Sequence, residues 1–280
     1  MKRSNALLAL AIAAAFYATD SAAAQSVNFV NGQGINLTGQ LYQPNGAGPF
    51  PAVILMHGCS GMYSWSNPAK GVATLYTEWA TRLNNAGYAA LVVDSFTPRG
   101  APQKQCGNGS TGTSEVYDRP YDAAAAAQFL SVQAQINPAK IGLLGWSHGG
   151  SSVLATLDSL AIPGNDLIKA AAAFYPGCGL YGAFGGISTS TWMPHAPLLI
   201  QAAGADPLYT SGYCDTRVAQ AKLLGASIAN GNPVDMTVQY GAQHSFDMAK
   251  ANDPDWTQWD VSAKQAADPA VMTFFNGYLK

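Results

Sequence analysis

Apolar residues in this chain fall into two patterns that alternate along its length. Continuous apolar runs at 52–56 and 89–93 predict strands buried on both faces, as the strands of a parallel sheet are, and 141–144, 170–175, 197–202 and 234–240 predict further strands. Between them, hydrophobic positions recur at helical spacing or in Ala-rich stretches. Leu75, Trp79, Leu83 and Ala86 predict a helix over 74–85 that Gly87 stops, and further helices are predicted over 118–132, from Ser147 to about 160, over 216–230 and over roughly 269–279. Segments 27–30 and 35–42, split by Asn31-Gly32-Gln33-Gly34, predict a β-hairpin, and Asn137-Pro138 predicts a turn. Segments 96–117 and 176–193 are rich in Gly, Ser, Thr and Pro and lack a period, which predicts two long loops. Strand and helix alternate without a linker or an internal repeat. The expectation is one α/β domain over 25–280, with a mostly parallel twisted sheet and helices on both faces.

The N-terminus stands outside this pattern. Met1-Lys2-Arg3 is basic, 7–18 is apolar, and Ala22-Ala23-Ala24 supplies small residues for cleavage, so 1–24 is expected to be a signal peptide cut after Ala24. Its run of about 12 apolar residues falls short of the roughly 20 that span a bilayer. Removing 1–24 takes away Lys2, Arg3 and Asp20 and leaves 12 basic against 15 acidic side chains, formally −3. With no basic run, neither nucleic acid nor an anionic membrane is expected as a partner. Cys59, Cys106, Cys178 and Cys214 form no C-x-x-C pair and have no histidine cluster beside them, so no metal site is expected. In an exported chain they predict two disulfides. Of the three possible pairings, Cys59–Cys106 and Cys178–Cys214 are expected, because each joins loops that follow neighbouring or successive strands.

The chemistry concentrates at Gly145-Trp146-Ser147-His148-Gly149, a G-x-S-x-G sequence between a predicted strand and a predicted helix. A serine raised on so sharp a turn needs glycine on both sides, and the helix behind it points free N–H groups at whatever the serine attacks. A seryl hydroxyl also needs a base, and a histidine base needs a carboxylate to hold its tautomer. Of the four histidines, His57 ends a strand before a glycine and is expected to shape that turn, His148 is too close to the serine to swing onto it, and His195 lies between prolines ahead of a strand. His244 follows the last strand and is the expected base. Asp206, after Gly204-Ala205 and 38 positions before His244, is the expected acid. Asp94 precedes the serine and is expected to stabilise a turn, while Asp235 opens a strand at the wrong edge. Ser147, Asp206 and His244 occur in the order that α/β-hydrolases use. The backbone N–H groups of Cys59 and His148 are the expected oxyanion donors. Tyr63, Trp65, Trp146, Tyr181 and Trp192 lie in or beside predicted site loops and are candidates for substrate contact or, equally, for ordinary packing. Arg99 could meet an anionic group of a substrate or a local carboxylate.

Taken together, H-G-C-S-G at 57–61, V-V-D-S-F-T-P-R-G at 92–100, G-W-S-H-G-G at 145–150, G-A-D-P at 204–207 and G-A-Q-H-S-F at 241–246 resemble the dienelactone hydrolase family. The resemblance covers about 40–280. It implies the α/β-hydrolase fold and a triad matching Ser147, Asp206 and His244, with no cofactor. The founding members carry cysteine in the G-x-C-x-G elbow and are cytoplasmic, whereas this chain has Ser147 and an export signal. The expected activity is hydrolysis of carboxylic esters or lactones, polyesters included, through an acyl-enzyme. A peptidase or acyltransferase with the same triad, and a non-catalytic binding protein on the same scaffold, are the alternatives.

Overall fold

The computed structural model describes residues 24–64, 66–101, 106, 112–158, 162–179, 192, 194–227 and 233–280. Its frame is an eight-stranded sheet in the order β1-β2-β4-β3-β5-β6-β7-β8. The strands are β1 (Gln25–Val30), β2 (Asn36–Tyr42), β3 (Phe50–Met56), β4 (Ala89–Asp94), β5 (Ile136–Trp146), β6 (Ile168–Phe174), β7 (Leu198–Ala203) and β8 (Val234–Gln239). The predicted hairpin is β1–β2, and β2 runs antiparallel to β4. Every other neighbouring pair is parallel. The inner strands β3, β4, β6 and β7 are almost wholly buried because helices cover both faces. One core packs β1, β2 and alternate residues of the parallel strands against α2 (Arg119–Ser131), α3 (His148–Asp158) and α5 (Tyr213–Ser227). The other packs the opposite residues against α1 (Thr74–Asn85) and α6 (Gln258–Leu279). Among the described residues, no helix is long and apolar enough to cross a membrane.

Three elements differ from expectation, each for a local reason. β5 begins at Ile136, ahead of the predicted turn, because the turn is built into the strand as a bulge. Phe50 pairs with Ile136 and Ala52 with Ile141, and the Asn137 side chain closes the intervening loop by accepting the Ala139 N–H at 3.0 Å. α6 begins at Gln258, well before the predicted start, and carries Pro269 in its interior. Its start is fixed by a capping box, in which Thr257 Oγ1 accepts the Asp260 N–H and Asp260 Oδ2 accepts the Thr257 N–H at 2.8 Å. A short helix, α4 (Pro207–Thr210), was not expected from the pattern; Asp206 caps it.

Both disulfides have the expected pairing. Cys59–Cys106 ties the turn after β3 to the 96–117 loop, and Cys178–Cys214 ties the segment after β6 to α5. Their sequence separations of 47 and 36 give an unfolded-state entropy loss worth about 4 kcal/mol each.

Asp260 also accepts the Gln243 N–H at 2.7 Å, so the start of α6 is fastened to the loop after β8. Replacing Thr257 by Ala removes the cap and leaves that contact in place. The expected loss is about 1 kcal/mol of unfolding free energy in urea titrations, with the fold retained. An unchanged midpoint would show that the cap does not hold the helix.

Candidate active site

β3, β5, β7 and β8 all deliver residues to the carboxyl edge of the sheet, where open α/β sheets place their sites. Ser147 follows β5 at φ 51°, a left-handed conformation that costs a non-glycine residue about 1–3 kcal/mol. The turn is held by Ser147 N–H donating to Phe174 O at 2.9 Å and by Ser151 N–H donating to Ser147 O at 2.8 Å. The flanking glycines are there for space. A Cβ on Gly145 would lie 2.2 Å from Gly149 O, and one on Gly149 would lie 2.0 Å from Met56 O.

The loop after β7 brings Asp206, and the loop after β8 brings His244. Two backbone bonds splint these loops together, Gly204 N–H to Gln239 O at 2.9 Å and Ala205 N–H to Ala242 O at 2.8 Å. Asp206 Oδ2 lies 2.5 Å from His244 Nδ1, and His244 Nε2 lies 2.8 Å from Ser147 Oγ. Because a carboxylate only accepts, Nδ1 carries the imidazole proton and Nε2 is left to accept the seryl O–H. The other oxygen of Asp206 accepts the Leu208 N–H at 2.9 Å, which fixes the carboxylate plane. Asp206 is 3% exposed, and the Tyr175 ring packs on the imidazole with centroids 4.7 Å apart.

On the other side of Ser147 is a buried polar cluster that sequence reasoning missed. Arg119, the first residue of α2, is fully buried. Its Nη1 donates to His57 O at 2.7 Å and to His148 Nδ1 at 2.9 Å, and its Nε donates to Ser95 Oγ at 3.2 Å. His57 Nε2 accepts the Ser95 N–H at 3.2 Å, so its Nδ1–H donates to Gly58 O at 2.7 Å. One guanidinium thus links the ends of β3, β4 and the serine turn. Burial, then the charge of Arg119, pushes both histidines down, His57 well below the ordinary range and His148 to about 2. Both are neutral, as their acceptor roles require. Burial lowers Arg119 to about 10, which leaves it charged at neutral pH.

A second buried group lies beneath His244. Asp247 Oδ1 accepts a short hydrogen bond from Tyr175 O–H. Burial pushes the Asp247 carboxyl up to about 7, against the lowering effect of the Tyr175 bond and with the charge of Asp268 adding to the rise. Its position in S-F-D, just after His244, was the only sequence signal available.

The candidates separate clearly. Ser147, His244 and Asp206 come together, and Cys59, His148 and Tyr63 line the same cleft of about 880 Å³. Trp146 reaches that cleft but is 1% exposed, its ring stacked on Phe174 at 6.0 Å as part of the core. Trp192 is not brought to the site: it is 1% exposed and donates its indole N–H to Leu154 O at 3.1 Å. Arg99 makes a two-pronged ion pair with Asp122, both contacts at 2.9 Å, and is absent from the cleft lining. Asp94 accepts the Phe96 and Thr97 N–H groups at 3.0 Å, the turn role expected of it. His195 bonds the carbonyls of Leu157 and Asn165, away from the site. Trp65 and Tyr181 lie outside the described residues.

A serine on a left-handed turn after the central strand of a mostly parallel sheet, with a histidine and an aspartate from later strands, defines an α/β-hydrolase. The sequence model of the dienelactone hydrolase family matches residues 37–279, and the chain belongs to that family, a hydrolase family. No curated protein matches it in sequence. Among solved structures, it resembles a candidate dienelactone hydrolase from Klebsiella pneumoniae subsp. pneumoniae at TM-score 0.69 and 16% identity, with 91% of this chain and all (100%) of the other covered. A dienelactone hydrolase-like promiscuous phosphotriesterase from metagenomic libraries superposes at TM-score 0.67 and 20% identity, covering 92% and 99%. Esterase 2 of Thermogutta terrifontis, in a form phosphorylated by paraoxon, superposes at 0.62 and 17%, covering 92% and 96%. At such identities the likeness establishes the fold.

The raised Asp247 carboxyl has a consequence for stability. The folded chain keeps this proton up to about pH 7, while an unfolded aspartate loses it near pH 4. Folding therefore holds the extra proton across that window, and stability falls as pH rises through it. Asp247→Asn cannot ionise. Between pH 5 and pH 8 its unfolding free energy in urea should fall less than that of the parent, by about 2 kcal/mol. Equal slopes for the two proteins would contradict the assignment.

Proposed function

We propose that this protein is an exported serine hydrolase of carboxylic esters or lactones, with residues 1–24 as signal peptide and 25–280 as the hydrolase domain. The observation that carries the reading is the continuous chain Asp206 Oδ2, His244 Nδ1, His244 Nε2, Ser147 Oγ, with spacings of 2.5 and 2.8 Å. Ser147 Oγ adds to the ester carbonyl and passes its proton to His244 Nε2, while Asp206 stabilises the imidazolium. The carbonyl oxygen takes up the electron pair beside the N–H groups of Cys59 and His148, neither of which has a protein partner among the described residues. Collapse of the tetrahedral intermediate expels the alcohol, which takes the proton from His244. Water then adds to the acyl-Ser147 with the same base, and the acid leaves. A lactone gives the same sequence with alcohol and acid on one product.

The cleft suits a small or medium ester, with Tyr63, Leu75 and Met248 among its apolar lining and Ser60, Ser64 and Thr74 among its polar lining. Polyester chain ends fall within this class. Two disulfides support an oxidising compartment, in agreement with the export reading of the N-terminus.

A p-nitrophenyl ester series from acetate to long chains, assayed with the disulfides intact, tests this directly. Ser147→Ala and Asp206→Asn should each lose roughly 10³-fold or more in kcat, and a fluorophosphonate should label the parent at Ser147 and not the alanine variant. Full activity in Ser147→Ala would overturn the reading. Labelling with no turnover of any ester would point instead to a peptidase or transferase, and the absence of both to a binding protein.

A further inference from the structure

Tyr76 lies on α1 and is 4% exposed, its ring held edge-on by Trp146 with centroids 5.3 Å apart. The hydroxyl oxygen accepts the Gly58 N–H at 2.9 Å. A phenol that accepts on its oxygen still has its own proton to direct. No described side chain or carbonyl takes that proton. Asp247, the buried carboxylate whose charge Tyr76 feels, accepts from Tyr175 on Oδ1 and has no donor on Oδ2. Burial pushes the phenol up to about 12, so the proton is present at any working pH. The open direction is the cleft, whose wall Tyr76 shares with Cys59, Ser147 and His148. The point that a Cβ on Gly58 would occupy is 3.8 Å from the Tyr76 hydroxyl and 3.8 Å from Ser147 Cβ, so phenol and serine flank one turn.

We propose that Tyr76 is a third oxyanion donor, whose O–H bonds the oxygen that becomes negative when Ser147 adds to the ester carbonyl. The assignment rests on the serine-esterase reading above. As the Oγ–C bond forms, the carbonyl π pair moves to oxygen and the seryl proton goes to His244, while the Tyr76 proton stays on Tyr76 throughout. The bond from Gly58 N–H polarises the phenol in the sense that strengthens it as a donor. The same bond fixes the phenol beside the turn that carries the Cys59 N–H, so backbone and side-chain donors keep one geometry.

Tyr76→Phe keeps the ring and removes the hydroxyl. The expected result is a fall in kcat of roughly 10- to 100-fold on a p-nitrophenyl ester, with KM within about threefold, since the lost bond forms in the transition state. A positioning role for the Gly58 turn would lower kcat too, so the matching thionoester is the discriminating substrate. Sulfur accepts hydrogen bonds poorly, and the loss on the thionoester should be under about threefold. Equal losses on both substrates, or a kcat within twofold of the parent on the oxoester, would overturn the proposal. Should Tyr76→Phe fail to fold, 3,5-difluorotyrosine at position 76 preserves the shape and lowers the pH at which the phenol ionises. Activity should then fall on the alkaline side at a lower pH than in the parent, and an unmoved profile would overturn the proposal. Ser147→Ala is run alongside. If it remains active the esterase reading fails, whereas an inactive Ser147→Ala beside a fully active Tyr76→Phe removes only the role of Tyr76.

Discussion

Everything at the carboxyl edge of this sheet depends on how closely the start of α3 approaches the ends of β3 and β5. Where Gly149 passes Met56 O there is no room for even a methyl group, and the same is true where Gly145 faces Gly149. That approach does two things together. It forces Ser147 into its left-handed conformation, which lifts the hydroxyl clear of the sheet, and it brings the His148 N–H alongside the turn that carries the Cys59 N–H. The placements of the seryl hydroxyl and of the two N–H groups thus share one cause. A looser contact would let the serine relax to ordinary φ and would separate the two N–H groups, so shape and chemistry are lost together.

A contact this tight needs support from behind, and the support is polar. Arg119 ties three strand ends through His57 O, His148 Nδ1 and Ser95 Oγ, but its Nη2 has no partner. Burying a guanidinium without a paired carboxylate costs several kcal/mol, and hydrogen bonds return part of it. An apolar side chain would fill the volume more cheaply. It would not hold both histidines as neutral acceptors or clamp a carbonyl at the end of β3. The apolar cores on either side of the sheet supply the stability that makes such a layer tolerable.

The parts of this arrangement that were legible in sequence are those that demand a particular residue at a particular chain position. Gly145, Ser147 and Gly149 are fixed by the turn, and Asp206 and His244 each sit in a short Gly-containing loop directly after a predicted strand. The family motifs overlap these same stretches. Arg119 and Tyr76 were not legible, because their roles come from strand order. β3, β4 and β5 are adjacent in the sheet although α1 and α2 intervene in sequence, and nothing in 118–132 marks its one arginine as buried. Which of its two readings Trp192 would take was not legible for the opposite reason. Proximity in sequence to a site loop suggested a cleft wall, but its indole N–H finds a carbonyl on α3 and the ring joins the core. The early start of α6 was hidden by Pro269, which reads as a first-turn proline and in fact lies within the helix, behind a cap whose partners are Thr257 and Asp260.

The same layer bears on the charge separation that the proposed reaction creates. When Ser147 adds to a carbonyl, positive charge grows on His244 and negative charge on the oxygen beside Cys59 and His148. Asp206 lies behind the first and Arg119 behind the second, bonded to His57 O and His148 Nδ1 on either side of the oxyanion position. The two fixed charges form a dipole oriented to match the one that develops. Both are buried, at 3% and 0% exposure, so water screens them little and they need no reorganisation when the charge appears. Protonated His57 and His148 would crowd two more positive charges around Arg119 and weaken the clamp on both turns. Their desolvation prevents this, and the cost of burying Arg119 becomes part of the site's preorganisation. By this argument, the neutral state of the two histidines is what allows a single buried cation to support the anionic side of the site.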